Sequence, residues 1–258
     1  MPVEILSARE IERMRRAGAV AAATLRAVGA RLRAGMTTAQ IDQLVRDDTA
    51  RRGGRPSQLG YHGFPAAVCT SRNEVVCHGV PSARERLADG DIVNVDVTTE
   101  LDGYHGDTSA TFTIGEVSPE ARKVVEVCRK SLQAALAVVR DGARLGDIGA
   151  VIEELAAREG CGVVTEYGGH GIGRRMHMEP HVSHAGKRGV GLRLRAGMAF
   201  TIEPMITLGR PGVRLLDDGW TVVTRDGSPS AQFEHTVIVT RDGCEVMTLL
   251  EEVATATV

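Results

Sequence analysis

The sequence has 258 residues, of which 43% are hydrophobic and 25% are charged, and it carries a formal net charge of −2 at pH 7. This balance indicates a globular protein with a sizeable core, and it excludes a strongly basic chain that binds nucleic acid or an anionic membrane through charge. No apolar stretch reaches about 18 residues, no signal or transit peptide is recognisable, and the five cysteines form no CxxC pair. We therefore expect a cytoplasmic protein with reduced thiols and no membrane or specific nucleic-acid partner.

The first part of the sequence predicts two helices followed by strands. A capping box at Ser7 and Glu10 opens a helix whose apolar residues recur at helical spacing as far as Gly35. Thr37 and Gln40 open a second helix, which ends before a pair of glycines. After an irregular stretch around "YHGFP" and a strand-like "AAVCTS", the segment "DIVNVDVTTELDGYHGDTSATFTI" predicts two alternating strands joined by a tight turn at its Asp-Gly pair.

The same order of two helices, a glycine-rich loop and alternating strands returns at a constant offset of 107 positions. At this offset Gly35 matches Gly142, and Asp96 matches Glu203. A constant offset that holds across both helices and strands predicts two similar halves related by a pseudo-twofold axis.

We place the two halves at about residues 7–116 and 117–250. Neither half closes its own core. The sequence therefore predicts one α+β domain over residues 1–258, in which the strands of both αα-plus-sheet halves merge into a shared central antiparallel sheet.

Acidic residues recur on the polar faces of the alternating strands. Asp96 and Glu203 hold equivalent positions in the two halves, so a pseudo-twofold axis brings both near one point. Glu234 lies on the polar face of "QFEHTVIV". A two-residue hairpin turn pairs Thr98 with Asp107, which makes Asp107 a diagonal neighbour of Asp96 at roughly 7–8 Å. A single acid is most often a solvated surface group, but four in this pattern are expected to converge on one centre.

Clustered carboxylates repel one another unless they are protonated or bound to cations. Four carboxylates and one neutral imidazole carry a charge of about −4, which two divalent cations would neutralise. Oxygen and nitrogen donors suit Mn, Fe, Co or Zn, whereas a thiolate-rich site would indicate zinc alone. The pattern therefore predicts a centre for two divalent metal ions.

Four of the eight histidines crowd into the segment "EYGGHGIGRRMHMEPHVSH". They are His170, His177, His181 and His184, and a zinc site made by the last three is one interpretation. That cluster lacks an HExxH pattern and would leave the four strand acids unexplained. A histidine without a partner at a site is usually a satisfied structural group.

Five long stretches are similar to the type I methionine aminopeptidases of the pita-bread fold. They are "YHGFPAAVCTSRNEVVCHGVP", "VNVDVTTELDGYHGDTSATF", "GGHGIGRRMHMEPHV", "GMAFTIEPM" and "DGWTVVTRDGSPSAQFEHTV". The resemblance covers nearly the whole chain. It implies the pita-bread α+β fold and a dinuclear metal-dependent aminopeptidase that removes the initiator methionine from proteins and peptides with a small second residue.

The resemblance also implies roles for individual residues. Two divalent metal ions (Co, Mn, Fe or Zn) are implied to bind Asp96, Asp107, His170, Glu203 and Glu234, with Asp107 and Glu234 bridging the ions. The catalytic residues are implied to be Glu203, as the best candidate for taking the proton of the water, and the two non-ligand histidines His78 and His177, which also contact substrate. The pocket for the methionine side chain is implied to consist of Tyr61, Phe64, Cys69, Met176 and Trp220. A peripheral site for one Na⁺ or K⁺ ion is matched by Asn73, Val75 and Ser230.

Three pocket positions differ from the pattern of the family. Met176 stands where the family often has an aromatic residue, Phe64 where it often has Tyr, and Gln58 where some relatives have Cys. Every ligand position matches, so the differences affect the expected shape of the pocket and not the expected chemistry. His181 and His184 match no site residue and are interpreted as structural.

The resemblance implies a monomer that acts on the N-termini of nascent polypeptides at the ribosome. Two alternatives remain open. Xaa-Pro dipeptidases share the fold and the ligand set, but they normally carry a large extra N-terminal domain, for which a first helix that begins near Ser7 leaves no room. Some pita-bread proteins are non-catalytic binding proteins that have lost their ligands, whereas all five ligand positions are filled in this sequence.

Overall fold

The computed structural model describes residues 3–249. In its first part, two helices precede five strands: α1 (Ala8–Gly29), α2 (Thr38–Arg51), β1 (Arg55–Pro56), β2 (Cys69–Arg72), β3 (Val75–Cys77), β4 (Ile92–Leu101) and β5 (Tyr104–Thr113). A 3₁₀ turn, Tyr61–Gly63, lies between β1 and β2. In its second part, two helices precede the remaining described strands: α3 (Pro119–Val138), α4 (Leu145–Arg158), β6 (Gly162–Val163), β7 (Gly169–Gly171), β8 (Met178–Val182), β9 (Ala199–Ile202), β10 (Met205–Thr207), β11 (Val213–Leu215), β12 (Val222–Thr224), β13 (Ser230–Gln232), β14 (Glu234–Val239) and β15 (Cys244–Val246).

The first two helices begin where the sequence predicts. The Ser7 N–H donates to the Glu10 carboxylate at 2.9 Å, and the Thr37 N–H donates to Gln40 Oε1 at 2.8 Å. These bonds satisfy main-chain groups that a helix start would otherwise leave without partners. Both helices then cover the sheet with their apolar sides.

The end of α1 differs from the prediction. The helix ends at Gly29 and does not continue to Gly35. Its last turn tightens, because Leu32 N–H donates to Gly29 O at 3.2 Å and Arg31 N–H donates to Val28 O at 2.9 Å. Gly35 adopts a φ of 84° further on, where the chain turns towards α2.

The strands merge into a nine-stranded sheet with the order β1-β4-β5-β14-β9-β7-β8, in which β2 also pairs with β4 and β15 with β14. Its pairings are antiparallel. β4 and β5 form a hairpin through a turn at Asp102 and Gly103, whose φ angles are 52° and 80°, and Thr98 pairs with Asp107 as predicted. β14 lies between β5 and β9, so one sheet runs from the first half into the second.

The core lies between the helices and the apolar face of this sheet. On β4, the side chains of Val93, Val95 and Val97 are fully buried and belong to the cluster that packs with α1 and α2. The second cluster packs α3 and α4 against β9 and β14, and Phe200 and Val237 lie within it. Because side chains alternate along a strand, the polar residues of β4 and β14 point to the opposite face, where the functional site is found.

A close contact fixes α1 on β5. A Cβ atom added to Gly106 would lie 2.5 Å from the Cα of Gly18, which is shorter than real contacts allow. Only glycine therefore lets the two main chains approach this closely. Gly106 directly precedes Asp107, so the helix supports the part of β5 that carries this acid.

None of the described helices is long and apolar enough to cross a membrane. We propose that the two halves meet near residues 116–117 within a single domain. The predicted end of the second half, at residue 250, lies outside the described residues.

Candidate active site

The five predicted ligands converge on one cavity of about 360 Å³. They come from strands of both halves or from the residue that directly follows one: Asp96 on β4, Asp107 on β5, His170 on β7, Glu203 after β9 and Glu234 on β14. The ligand atoms of Asp107, His170 and Glu234 all lie within 4.8 Å of one another. His170 Nε2 lies 3.8 Å from Asp107 Oδ2 and 3.7 Å from Glu203 Oε1. These distances suit side chains that surround a shared cation.

The carboxylates are held by neutral donors. Thr98 Oγ1 donates to Asp107 Oδ1 at 2.7 Å. Thr201 Oγ1 donates to Glu203 Oε1 at 2.8 Å, and Gln232 Nε2 donates to Glu203 Oε2 at 3.2 Å. These hydrogen bonds orient the acids without neutralising them, and the described lining of the cavity contains no lysine or arginine.

The surroundings penalise the charged form of each acid. Burial raises the pKa of Asp107 to about 6, although the hydrogen bond from Thr98 opposes this change. Burial, with a smaller contribution from the Asp107 charge, raises the pKa of Glu203 to about 8. Burial and the neighbouring carboxylates also place the pKa values of Asp96 and Glu234 well above their usual range. A bound divalent cation would remove this penalty.

Two further observations show that the site fits divalent metal ions. Glu234 Oε1 is buried and has no hydrogen-bond partner among the described residues. His170 Nδ1 lies 3.1 Å from the Gly171 carbonyl, which can only accept, so Nδ1 carries the proton and the lone pair of Nε2 faces the acids. Burial lowers the pKa of His170 to about 3, which keeps the imidazole neutral, as a ligand must be.

Two more histidines line the cavity beside the acids. His177 Nδ1 lies 2.8 Å from the hydroxyl of Tyr61, and its ring centroid lies 4.1 Å from that of His170. The ring is accessible from the cavity, but protein atoms surround most of it, and this desolvation lowers the pKa of His177 to about 4. Burial also lowers the pKa of His78, which adopts a φ of 56°, uncommon for a residue other than glycine. Both side chains are therefore neutral hydrogen-bonding groups at neutral pH.

The remaining two histidines of the crowded segment lie in different surroundings. His184 is fully buried outside the cavity lining, and its Nε2 accepts the main-chain N–H of Glu203 at 3.1 Å. His181 pairs with His170 across β7 and β8 and lies on the cavity wall. In the described part of the chain, His177, His181 and His184 do not form a group of donors that could share one ion. The structure therefore does not support the zinc cluster.

An apolar pocket adjoins the acids. All five residues predicted for the methionine pocket line the same cavity: Tyr61, Phe64, Cys69, Met176 and Trp220. Phe64, Cys69 and Met176 are buried, and the rings of Phe64 and Trp220 meet edge to face with centroids 5.1 Å apart. The arrangement can hold an unbranched apolar side chain next to the polar centre.

The structure adds residues that the sequence did not reveal as part of the site. Tyr167 and Met205 also line the cavity, and Thr98 holds Asp107. The predicted hairpin register could have identified Thr98, because it places this residue directly opposite Asp107. No sequence pattern indicated the others, since they reach the cavity from loops and from a short strand.

The predicted monovalent-cation site lies away from this cavity. The main-chain carbonyl of Asn73 accepts the Ser230 N–H at 2.8 Å, and Val75 follows at the start of β3. Asn73 has a φ of 53°, and its side-chain nitrogen donates to Asp91 Oδ1 at 2.8 Å. This site stays a prediction.

Known proteins resemble the chain over nearly its whole length. Residues 12–241 match metallopeptidase family M24. Methionine aminopeptidase A of Synechocystis sp. is 49% identical over 249 residues, which cover 96% of this chain and 98% of the relative. The methionine aminopeptidase of Escherichia coli K12 is 45% identical over 253 residues, which cover 98% and 96% of the two chains.

Solved structures agree with the fold. The methionine aminopeptidase from Rickettsia prowazekii superimposes with a TM-score of 0.94 at 43% sequence identity, over 96% of this chain and 100% of that one. The Xaa-Pro dipeptidase from Bacillus anthracis gives a TM-score of 0.76 at 21% identity, over 96% of this chain and 62% of that one, and this likeness shows the fold alone. The predicted pita-bread fold is confirmed, with its two halves around a shared antiparallel sheet. On the match to its family and the identity to these relatives, the chain belongs to metallopeptidase family M24 and is a hydrolase of the methionine aminopeptidase type.

Proposed function

We propose that this protein removes the N-terminal methionine from proteins and peptides whose second residue is small, and that it uses two divalent metal ions. The observation that carries the proposal is the convergence of four acids and one neutral imidazole on a cavity whose adjoining wall is apolar. The printed names of relatives at 45% and 49% identity support the same activity.

The residues that would hold the metal ions are Asp96, Asp107, His170, Glu203 and Glu234. When bound, such ions lower the pKa of a water molecule and polarise the carbonyl of the scissile bond. Two ions follow from a ligand charge of about −4, and the donor set suits Co, Mn, Fe or Zn. A Na⁺ or K⁺ ion at Asn73, Val75 and Ser230 is part of the same proposal.

Glu203 takes the proton of the attacking water. Its two carboxylate oxygens accept hydrogen bonds from Thr201 and Gln232, which fix its orientation in the cavity. A carboxylate held in a fixed orientation within hydrogen-bond reach of a water molecule can accept its proton.

His177 donates to the oxyanion that develops on the scissile carbonyl. The neutral imidazole carries one proton, and the Tyr61 hydroxyl can donate to Nδ1, which leaves the proton on Nε2. A preoriented donor of this kind stabilises developing charge in the transition state. His78, on the same cavity, contacts the scissile amide nitrogen and assists its protonation.

The apolar pocket selects the first side chain. A flexible thioether fills an irregular slot, and the sulfur atoms of Cys69 and Met176 offer polarizable contacts. A missing methylene costs such a pocket roughly 1–3 kcal/mol, so norleucine is tolerated and alanine is largely refused. A free α-amine of the substrate would be bound at the metal centre, and this restricts cleavage to the first residue.

The substrates in the cell are the N-termini of nascent polypeptides. We propose that the protein acts on them as a cytoplasmic monomer, at the ribosome. The names of the relatives support the activity on N-terminal methionine, and they do not bear on the ribosome, the compartment or the oligomeric state.

The test uses metal-stripped protein to which Mn²⁺, Co²⁺, Fe²⁺ or Zn²⁺ is added back in turn. We expect metal-dependent hydrolysis of Met-Ala-Ser, detected by mass spectrometry, and resistance of peptides that begin Met-Leu. Efficient cleavage of Ala-Pro with failure on Met-Ala-Ser would establish the Xaa-Pro dipeptidase alternative. Failure to cleave any peptide with any metal would support the alternative of a non-catalytic binding protein.

A further inference from the structure

The edge of β4 is interrupted beside the candidate metal centre. The register of β1 ends where Pro56 pairs with Thr99, and the register of β2 begins where Cys69 pairs with Asp96. Between these two strands the chain leaves the sheet and forms the loop that carries the 3₁₀ turn. Main-chain groups of β4 at this break need partners from outside a strand.

Gln58 supplies these partners with its side chain. Its Nε2 donates to the main-chain oxygen of Asp96 at 2.9 Å, and its Oε1 accepts the Thr98 N–H at 3.3 Å. A carboxamide has the same donor and acceptor as a peptide group. The side chain therefore bonds to the edge of β4 as one further residue of a neighbouring strand would. Ser57 N–H continues the contact by donating to the Thr98 carbonyl at 2.9 Å.

Gln58 also bonds to the ligand side chain itself. The same Nε2 lies 3.3 Å from Asp96 Oδ1, so one amide group contacts both the main chain and the carboxylate of Asp96. Gln58 is only 6% exposed, which leaves its side chain little freedom to move away. A buried neutral donor of this kind fixes a carboxylate while leaving its charge available to a cation.

The opposite side of Gln58 belongs to the substrate pocket. Gln58 lines the cavity with Tyr61 and Phe64, and its Nε2 lies 3.9 Å from the sulfur of Cys69. Because both ends of the carboxamide are engaged by β4, the part of the side chain left for the cavity is its methylene stem. The residue thus joins the metal centre to the methionine pocket.

We propose that Gln58 is a positioning residue that holds Asp96 in the orientation required for metal binding, while its stem forms part of the pocket wall. The inference rests on the proposed function in that Asp96 is taken to be a metal ligand. It goes further by giving a role to a position that the resemblance leaves unexplained. The role requires the carboxamide, and a side chain of similar size without an amide cannot perform it.

The test compares wild type with Gln58→Met, which keeps an unbranched chain but has no amide. Isothermal titration of Mn²⁺ into metal-stripped protein should show affinity weakened on the order of 10-fold, as loss of a hydrogen bond to a metal ligand does. With Met-Ala-Ser, kcat should fall more than KM changes, because the apolar wall is retained. The control is Thr99→Val, at the residue that follows Thr98 on β4. The buried Thr99 hydroxyl has no hydrogen-bond partner among the described residues, so its removal should leave Mn²⁺ affinity unchanged.

Each outcome is decisive. Equal Mn²⁺ affinities of wild type and Gln58→Met, with both folded by circular dichroism, overturn the role of Gln58 alone. Wild-type protein that binds no Mn²⁺ overturns the metal centre and this role with it. If Gln58→Met does not fold, Gln58→Asn replaces it, because a carboxamide shorter by one methylene cannot reach Asp96 and Thr98 together. Weaker Mn²⁺ binding by Gln58→Asn supports the role, and wild-type affinity overturns it.

Discussion

The crowded histidines show that residues close together in sequence perform separate tasks. His170 faces the acids, His177 contacts the Tyr61 hydroxyl, and His184 accepts the main-chain N–H of Glu203 outside the cavity. Their hydrogen-bond partners distinguish these tasks, and their spacing does not. Because His184 accepts the main-chain N–H of Glu203, this residue is held through its main chain as well as through its carboxylate.

The first prediction concerns the proton acceptor. Glu203→Gln removes a ligand charge and the basic group but keeps the shape of the side chain, so the protein should fold while kcat/KM on Met-Ala-Ser falls at least about 10-fold, equivalent to about 1.4 kcal/mol. Peptide hydrolysis with saturating Mn²⁺ measures the loss, and Glu120→Gln, on the exposed start of α3, is the matched control. Retention of more than about a tenth of the wild-type value would remove this role from Glu203.

At the scale of secondary structure, the sequence predicts most of what positions the site. Alternation on β4 predicts that Val93 and Val95 enter the core while Asp96 points away, and the Asp-Gly turn predicts the pairing of Thr98 with Asp107. The early end of α1 was not predictable, because apolar spacing continues after the helix closes with i→i+3 bonds. The contact of α1 with β5 was also not predictable, because no sequence pattern indicates that Gly106 lies against Gly18.

Gly106→Ala tests that contact. The added Cβ would meet main-chain atoms of α1 at 2.5 Å, and these cannot rotate away, so we expect a destabilisation on the order of 1–3 kcal/mol. Urea unfolding of metal-free protein measures the change. Gly173→Ala is the control, because its Cβ would meet only the Met178 sulfur, at an ordinary 3.6 Å. Equal effects of the two substitutions would contradict the packing argument.

At the scale of the whole molecule, the constant offset of 107 positions predicts that Asp96 and Glu203 approach each other, and both line one cavity. The tertiary contacts of loop residues could not be predicted in this way. Gln58 reaches Asp96 across a break in the sheet edge, and a tertiary contact of this kind has no periodicity in the sequence. The convergence of the four acids was predictable because they lie on regular strands or directly after one, whereas several of the residues that hold them in place were not.

The assembled site predicts how stability depends on pH. Burial raises the pKa of Asp107 to about 6 and of Glu203 to about 8 in the folded protein, above the 3.8 and 4.5 usual for an exposed chain. The folded state therefore binds more protons, and its stability is lost as pH rises through these values. The buried histidines have lowered pKa values and oppose this trend near pH 7, where unfolded histidines still bind some protons, but their contribution fades above about pH 7.5.

We expect the free energy of unfolding of metal-free protein to fall between about pH 7.5 and pH 8.5, and saturating Mn²⁺ to reverse the fall, because a cation replaces the bound protons. Urea unfolding at several pH values, with and without Mn²⁺, measures both effects. Glu203→Gln should show a shallower pH dependence. Stability of the metal-free protein that stays constant or rises over this range would contradict the raised pKa values.

The position of β14 has a consequence for the order of events during synthesis. This strand carries Glu234, and it fills the space between β5 and β9, although its partner Thr108 is 126 residues away in sequence. A growing chain exposes Asp96 and Asp107 long before it exposes Glu234. Pairings between such distant segments form late, since a long loop must close first. The newly made protein therefore completes its nine-stranded sheet and its proposed metal centre together, and a fragment that ends before Glu234 lacks one of the five proposed ligands.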